Sequence, residues 1–158
     1  SPHLPPRITV DDLHASKEAL LAGTTAGIFE YKKGKNQGWL QVSNLRAELV
    51  RHSGSHSYAA LNRQLYKRTG NSGLFELMSL PTQIEGKILD IGSYGPYIWL
   101  ATTAGVVVYD ELGGRHATIR PRNGLPSGWV FESLPEEKWV WFITRGGVAR
   151  FNWRTYFE

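Results

Sequence analysis

The clearest signal of fold in this chain is the stretch Ile98-Trp99-Leu100-Ala101-Thr102-Thr103-Ala104-Gly105-Val106-Val107-Val108-Tyr109. It begins with an apolar run of about five residues, too short and too rich in β-branched and aromatic side chains for a buried helix. Small residues follow, and Gly105 can adopt the positive φ that a tight chain reversal requires. A second apolar run completes the pattern, so the stretch predicts a β-hairpin.

The same hairpin pattern recurs three more times. The segment Leu20 to Tyr31 matches it at an offset of 78 residues and shares the tetrapeptide Thr-Thr-Ala-Gly. The segment Val140 to Phe151 follows 42 residues after the first stretch, and a copy shortened at its turn runs from Tyr58 to Arg68. Three of the four turns carry a glycine for which we predict a positive φ: Gly27, Gly105 and Gly147. Copies spaced by about 40 residues indicate a repeat architecture.

Each hairpin has room for one more strand on either side. The segments before the hairpins are 7–13, 47–51, 87–91 and 129–134, and those after them are 39–42, 74–77, 117–120 and 155–157. Four strands per repeat is the strand count of a propeller blade. A single blade would leave both faces of its sheet in water, so the repeats must stack face to face around an axis. We therefore predict an all-β chain that forms a β-propeller of about four blades, each with four antiparallel strands.

The predicted propeller is one domain, 1–158, with approximate blades at 7–45, 46–82, 84–124 and 127–158. Four blades lie at the lower end of the propeller range. A closed ring is slightly favoured, but a fragment of a larger ring and an eight-bladed ring made by two copies stay open. In a closed ring, the N-terminal segment 4–10 would complete the outermost strand of the last blade.

One segment, 11–22, also fits a helix. Leu13, Leu20 and Leu21 lie at helical spacing, and Gly23 follows where a helix would end. The match to the repeat from Leu20 onward favours strands, and strands are our prediction.

A run of turn and strand signals surrounds the last hairpin. Asn123-Gly124-Leu125-Pro126-Ser127 precedes the apolar strand 129–134, and the segment 139–151 then carries a Gly-Gly turn and ends in Arg-Phe. The segment 98–110 repeats part of this order. The order resembles the repeat of the two-component regulator propellers. That resemblance implies a propeller that serves as a periplasmic input domain of a sensor kinase and binds saccharides or other small ligands.

The first copy is also similar to the Asp-box repeats of sialidase-like propellers, through Ala22-Gly23-Thr24 and the later Trp39. The Asp box itself is not kept, because Lys32-Lys33-Gly34-Lys35-Asn36 stands before Trp39. This second resemblance implies a glycan-acting enzyme as an alternative.

Composition narrows the classes of function. The chain has no Cys, which excludes a thiol nucleophile, a thiolate metal site and a disulfide framework. None of the common catalytic, phosphate-binding or dinucleotide-binding motifs is present, and His52 and His56, although four residues apart, lie in a Gly/Ser-rich loop. The net charge of +4 is spread along the chain, and no apolar run approaches the ~20 residues of a membrane span. We predict no catalytic residue, no metal, no cofactor, no nucleic-acid partner and no membrane span.

The predicted ligand site is the set of turns between the second and third strands, which cluster at one end of a propeller axis. These turns present Thr24, Thr25, Asn62, Arg63, Thr102, Thr103, Thr144 and Arg145, and the connections between blades add Arg122 and Trp129. Hydroxyls, an amide and guanidiniums can hydrogen-bond a sugar or an anion. The alternative, and the favoured one for the threonines, is that they cap the hairpins through local bonds to the backbone.

The predicted function is that of a non-enzymatic propeller module that binds a ligand or a protein, similar to periplasmic sensor input domains. Its partner would be a small molecule or saccharide, or a protein, and a homo-oligomer is a further expectation. Two alternatives stay open: a sialidase-like enzyme that acts on glycans, and a structural module that forms a larger ring with another copy or a partner. The resemblance implies a periplasmic or extracellular location, with the cytoplasm still open.

Overall fold

The computed structural model of the protein describes residues 3–53, 55–70, 73–80 and 82–157. The strands in these ranges form four antiparallel sheets. The chain divides into two compact units, Ser1–Met78 and Ser79–Glu158, with two sheets in each. The predicted all-β class and the four repeated sheets are confirmed.

The first unit holds sheets 1 and 2, each a meander of four strands in chain order. Sheet 1 contains β1 (Val10–Ala15), β2 (Ala19–Thr24), β3 (Gly27–Lys32) and β4 (Trp39–Ser43). Sheet 2 contains β5 (Leu49–Ser53), β6 (His56–Leu61), β7 (Gln64–Thr69) and β8 (Glu76–Leu77). The segment that also fitted a helix therefore lies in β1 and β2, as the repeat predicted.

The second unit holds sheets 3 and 4. Sheet 3 contains β9 (Ile88–Tyr94), β10 (Tyr97–Thr102), β11 (Gly105–Asp110) and β12 (His116–Ile119). Sheet 4 contains β13 (Val130–Pro135), β14 (Trp139–Thr144) and β15 (Gly147–Asn152). A short 3₁₀ helix, Pro121–Asn123, lies in the connection between the sheets, and a single helical turn, α1 (Arg154–Phe157), follows β15.

The prediction of a fourth strand at 155–157 is wrong, because these residues belong to α1. Trp153 is buried, and its indole N–H donates to the carbonyl of Glu136 at 2.8 Å. The Thr155 hydroxyl donates to the carbonyl of Asn152 at 2.9 Å. These bonds turn the chain inward directly after β15, so it does not run back alongside that strand.

The expectation that segment 4–10 completes the last sheet also meets a contrary observation at its C-terminal end. Val10 begins β1 and pairs with Thr24. The carbonyl of Thr9 accepts the N–H of Thr25 at 3.0 Å. This end of the segment therefore belongs to sheet 1.

Three of the four hairpins close with the same side-chain clamp. In each, a threonine hydroxyl donates to a glycine carbonyl three residues later and accepts an N–H two residues later. The donor–acceptor pairs are Thr24 to Gly27 at 2.7 Å, Thr102 to Gly105 at 2.8 Å and Thr144 to Gly147 at 2.7 Å. These glycines have φ values of 132°, 109° and 134°, which confirms the predicted positive φ. A residue with a Cβ rarely adopts this conformation.

Within each unit, the two sheets are joined by a carboxylate at equivalent positions of the repeat. Asp12 Oδ2 accepts the N–H of Val50 at 2.9 Å, and Asp90 Oδ2 accepts the N–H of Ser133 at 3.0 Å. Apolar side chains fill the space beside each bond. The first cluster includes Leu21, Ile28, Ala47, Val50 and Ala59, and the second includes Trp99, Val106, Val108, Val130, Val140, Phe142 and Trp153.

We predict that Thr102→Val lowers the free energy of unfolding by about 1–3 kcal/mol. The valine is similar in shape but leaves the buried carbonyl of Gly105 and the N–H of Ala104 without the hydroxyl. Urea unfolding measures the change. The matched control is Thr118→Val, at a partly exposed position, for which a change below about 0.5 kcal/mol is expected. Equal midpoints for the two variants would contradict the clamp.

Candidate functional site

The threonines of the predicted ligand site bond inside their own hairpins. Thr24, Thr102 and Thr144 are buried, and each hydroxyl both donates and accepts within its clamp. This is the local capping that the sequence left open as the alternative. Ligand contact by these three residues stays a prediction, and their internal bonding disfavours it.

The next residue in each turn faces the connection that enters the same sheet. Thr25 Oγ1 accepts the N–H of Thr9 at 3.1 Å, and Thr103 Oγ1 accepts the N–H of Lys87 at 3.0 Å. In the shortened turn, Asn62 has a φ of 56° and donates its N–H to Glu48 Oε2 at 3.3 Å. These bonds connect each turn to the segment that leads into the first strand of the same sheet.

The arginines of the predicted site have different surroundings. Arg145 lies over the ring of Trp129, with 4.2 Å from its guanidinium carbon to the ring centroid. A cation–π contact thus replaces, in sheet 4, the threonine bond of sheets 1 and 3. Arg63 is exposed in its turn, and Arg122 is exposed in the 3₁₀ helix. Of the predicted residues, Arg145 in the β14–β15 turn and Trp129 just before β13 are a pair that the structure brings into contact.

A cavity of about 370 Å³ lies at the opposite end of sheet 1 from the β2–β3 turn. The β1–β2 turn, the end of β3, the β3–β4 turn and β5 form its walls. Its lining residues are Lys17, Glu18, Ala19, Glu30, Lys32, Lys33, Lys35 and His52. Four lysines and one histidine therefore face two carboxylates.

Backbone-directed bonds fix the wall of this cavity. Ser16 Oγ accepts the N–H of Ala19 at 3.1 Å, which shapes the β1–β2 turn. Lys33 ties the two turns together, because its Nζ donates to the carbonyl of Ser16 at 2.7 Å and its N–H donates to the carbonyl of Glu18 at 2.9 Å. Lys17 and Lys35 are exposed at the rim and form no ion pair with any other part of the chain that the structure describes. These two ammonium groups are available to a ligand.

A buried polar chain underlies the cavity. Arg68 Nη2 lies 2.7 Å from Glu30 Oε2, and both side chains are almost fully buried. The same nitrogen donates to Ser57 Oγ at 3.3 Å, and Ser57 Oγ lies 3.0 Å from His52 Nδ1. Lys32 Nζ lies 4.0 Å from Glu30 Oε1, at the limit of an ion pair. The charge of the Glu30 carboxylate is thus balanced chiefly by Arg68, beneath the lysines of the cavity lining.

The cavity was not among the sequence predictions, although two signals pointed to it. Arg68 stands where the other three repeats have Tyr31, Tyr109 and Phe151, and Glu30 stands where the third repeat has Val108. A polar residue at each of two positions that face the neighbouring sheet indicates a buried pair. In the sequence, the lysines on both sides of Gly34 indicate only a departure from the Asp box.

We predict that Arg68→Met destabilises the protein by about 3–5 kcal/mol, because it leaves Glu30 buried without its partner. The double variant Glu30→Val with Arg68→Phe should recover most of that loss, since it installs the residue types that Val108 and Phe151 supply at the equivalent positions. Urea unfolding of both variants provides the measurement. A double variant no more stable than Arg68→Met would show that the pair does not act as a unit.

His14 lies beside the cavity wall, and burial lowers the pKa of its imidazole below the ordinary value of 6.5, with the Arg51 guanidinium acting in the same direction. The unfolded chain therefore binds this proton more readily than the folded one. We predict that the free energy of unfolding falls as pH drops through about 6.5 and levels off below the folded pKa. His14→Gln should flatten this dependence, whereas His116→Gln, at an exposed position, should leave it unchanged.

No family model and no curated protein matches the chain. The described part of the chain contains no helix long and apolar enough to cross a membrane.

Several solved structures are similar in fold. The extracellular domain of the putative hybrid two-component system BT4673 from B. thetaiotaomicron has 16% identity and a TM-score of 0.73, over 94% of this chain and 21% of that one. YCF48 from Cyanidioschyzon merolae has 13% identity and a TM-score of 0.70, over 92% and 50%. The computationally designed Ika4 protein has 13% identity and a TM-score of 0.68, over 94% and 93%. The chain thus spans about a fifth of the BT4673 extracellular domain and half of YCF48, and these likenesses show a β-propeller fold.

Proposed function

We propose that the protein is a non-enzymatic binding module that takes a small anionic ligand, such as an acidic saccharide, in the lysine-lined cavity of the first unit. The observation that carries the proposal is the excess of positive charge around a preformed cavity of about 370 Å³, a volume within the usual range for small-molecule sites. The internal pairing of Glu30 with Arg68 strengthens this excess, because it removes one carboxylate from the electrostatic balance.

The lining favours an anion over a neutral sugar. Neutral saccharides are commonly held by an aromatic platform, and no Trp, Tyr or Phe is among the described residues that line this cavity. Ammonium groups are point charges that attract carboxylate or phosphate without strict geometry. Lys17 and Lys35 at the rim and Lys32 deeper in the cavity would contact the ligand.

The arrangement gives little support to catalysis. Hydrolysis of a glycoside commonly needs two carboxylates that are free to act on either side of the bond. In this cavity Glu30 is held by Arg68 at 2.7 Å and is buried, which leaves Glu18 as the other carboxylate of the lining. A sialidase-like site would instead use a Tyr nucleophile, and the described lining of the cavity contains no Tyr, so we favour binding.

The fold neighbours are in keeping with a binding role outside the cytoplasm. One is the extracellular domain of a putative two-component system, and another, YCF48, has been solved bound to the D1 peptide. By analogy, we propose an extracytoplasmic module that presents a bound ligand to the rest of a sensing or assembly system.

Calorimetric titration with digalacturonate tests the proposal, with neutral cellobiose as the matched sugar. Digalacturonate should bind at 50 mM NaCl and weaken strongly at 300 mM, because the attraction comes from exposed charges. Lys35→Glu should weaken binding at least tenfold, since it replaces an attractive charge at the rim by a repulsive one.

The control is Lys138→Glu, which makes the same change of net charge at an exposed site in the second unit. It should change the dissociation constant less than twofold. Equal weakening by the two variants would mean that the chain attracts anions only through its net charge. Tighter binding of cellobiose would overturn the assignment of an anionic ligand.

A further inference from the structure

Sheet 4 lacks, in the described residues, the outer strand that the other sheets have. In sheet 1, β3 pairs with β4 through residues from Ile28 to Tyr31, and in sheet 3, β11 pairs with β12 through Val106 to Tyr109. The equivalent residues of sheet 4 are 148–151 in β15, and the described part of sheet 4 ends at β15. Val148 is 63% exposed, and Arg150 is also exposed. An edge of this kind offers unpaired backbone groups to another strand.

An apolar groove of about 190 Å³ lies beside this edge, between sheets 3 and 4. Residues of β12, the buried ring of Trp99, Val108 and two aromatic side chains that follow from β15 form its walls. The lining residues are Trp99, Val108, Ala117, Thr118, Ile119, Asn123, Phe151 and Trp153. The groove opens next to Phe151, where an added strand would place an inward-facing side chain.

The first unit shows what occupies the equivalent place. There the chain that enters β8, the outer strand of sheet 2, brings Phe75 against the cluster between sheets 1 and 2. The ring of Phe75 lies 5.1 Å from the guanidinium carbon of Arg68, which is the repeat equivalent of Phe151. The residue that leads into the outer strand of sheet 2 therefore places an aromatic side chain between the sheets, and the groove of the second unit is the corresponding space.

A second observation in the groove also points to a ligand. The indole N–H of Trp99 is buried and has no hydrogen-bond partner in the described part of the chain. Buried donors are rarely left in this state. Trp99 lines the groove, so an incoming side chain with an acceptor atom, such as a tyrosine hydroxyl, could pair with it.

Charge identifies the kind of strand that fits. On the outward face of β15, Arg150 lies over the rings of Trp139 and Trp141, at 4.2 Å and 5.3 Å from guanidinium carbon to centroid. Arg145 and Lys138 are exposed in the two turns at the ends of β14. Arg150 and Arg145 thus place two cations near Val148 on this edge, whereas the turn of Lys138 also carries the exposed Glu136 and Glu137.

We propose that β15 binds an extended peptide of a partner protein as the fourth strand of sheet 4. The peptide places a large aromatic side chain in the groove and directs acidic side chains to the outward face. Backbone hydrogen bonds along the edge supply affinity and the groove supplies specificity, as in other cases of strand addition. A second copy of this chain is a less suitable source of this strand. In its N-terminal segment Pro5 and Pro6 have no N–H to donate, and Arg7 adds a cation.

Fluorescence anisotropy with a labelled, acetylated peptide of sequence Glu-Val-Glu-Tyr-Glu-Val-Glu tests the proposal on the full chain. The peptide should bind, and the amides of β15 should exchange more slowly with deuterium in its presence. A version with every second amide N-methylated cannot pair along one edge, and it should bind at least tenfold more weakly. A version with Lys in place of Glu should bind more weakly as well.

Two variants locate the site. Ala117→Phe fills the groove, and Arg150→Glu reverses the charge beside the edge. Each variant should lower the affinity for the peptide at least tenfold. The matched controls are Ala15→Phe and Arg46→Glu, at exposed positions of the first unit, and they should leave peptide binding unchanged. Retained folding is checked by the melting temperature of each variant.

Three results would overturn the proposal. The first is equal binding of the N-methylated peptide, which would exclude strand pairing. The second is undiminished peptide binding by both single variants, Ala117→Phe and Arg150→Glu. The third is a concentration-dependent dimer in sedimentation that Ala117→Phe abolishes, which would make a second copy the occupant. Because the anionic-ligand cavity lies in the other unit, either proposal can fail without the other.

Discussion

The contact between two quasi-equivalent sheets is the constraint on which each unit depends. A single meander of three or four strands would expose both of its faces to water, so its apolar side chains are buried only against a neighbouring sheet. In both units an aspartate on the first strand of the first sheet, Asp12 in β1 or Asp90 in β9, accepts a backbone N–H of the next sheet. This charge-assisted bond fixes the register at which Ile28 or Val106 meets the facing apolar surface.

The same contact has opposite chemistry in the two units. At one pair of equivalent positions, the first unit buries Glu30 with Arg68, and the second places Val108 and Phe151 there. A buried ion pair adds little net stability over an apolar pair of similar volume, but it demands that both partners be present. The first unit thereby gains a polar floor beneath a cationic cavity, and the second gains an apolar groove.

The two ends of sheet 1 also differ in what they can offer a ligand. At the β2–β3 turn, Thr24 and Thr25 bond to the chain itself, so little hydrogen-bonding capacity is left over. At the other end, longer turns carry lysines whose charges are only partly balanced. Lys33 is tied to the carbonyl of Ser16, while Lys17 and Lys35 project from the rim. Binding capacity thus lies where the turns are long and irregular rather than where the repeat is regular.

The sequence by itself determined the strands, three of the four outer strands, the hairpin glycines and the threonine caps, because these depend on local periodicity and on φ at single residues. Only the tertiary structure placed Arg68 against Glu30 and gathered the lysines around one cavity, since these contacts join residues up to 38 positions apart. Only the tertiary structure also showed that residues 155–157 form a helical turn and not the predicted strand. Trp153 turns into the core of its unit because of a contact with Glu136, which no local pattern at 155–157 could reveal.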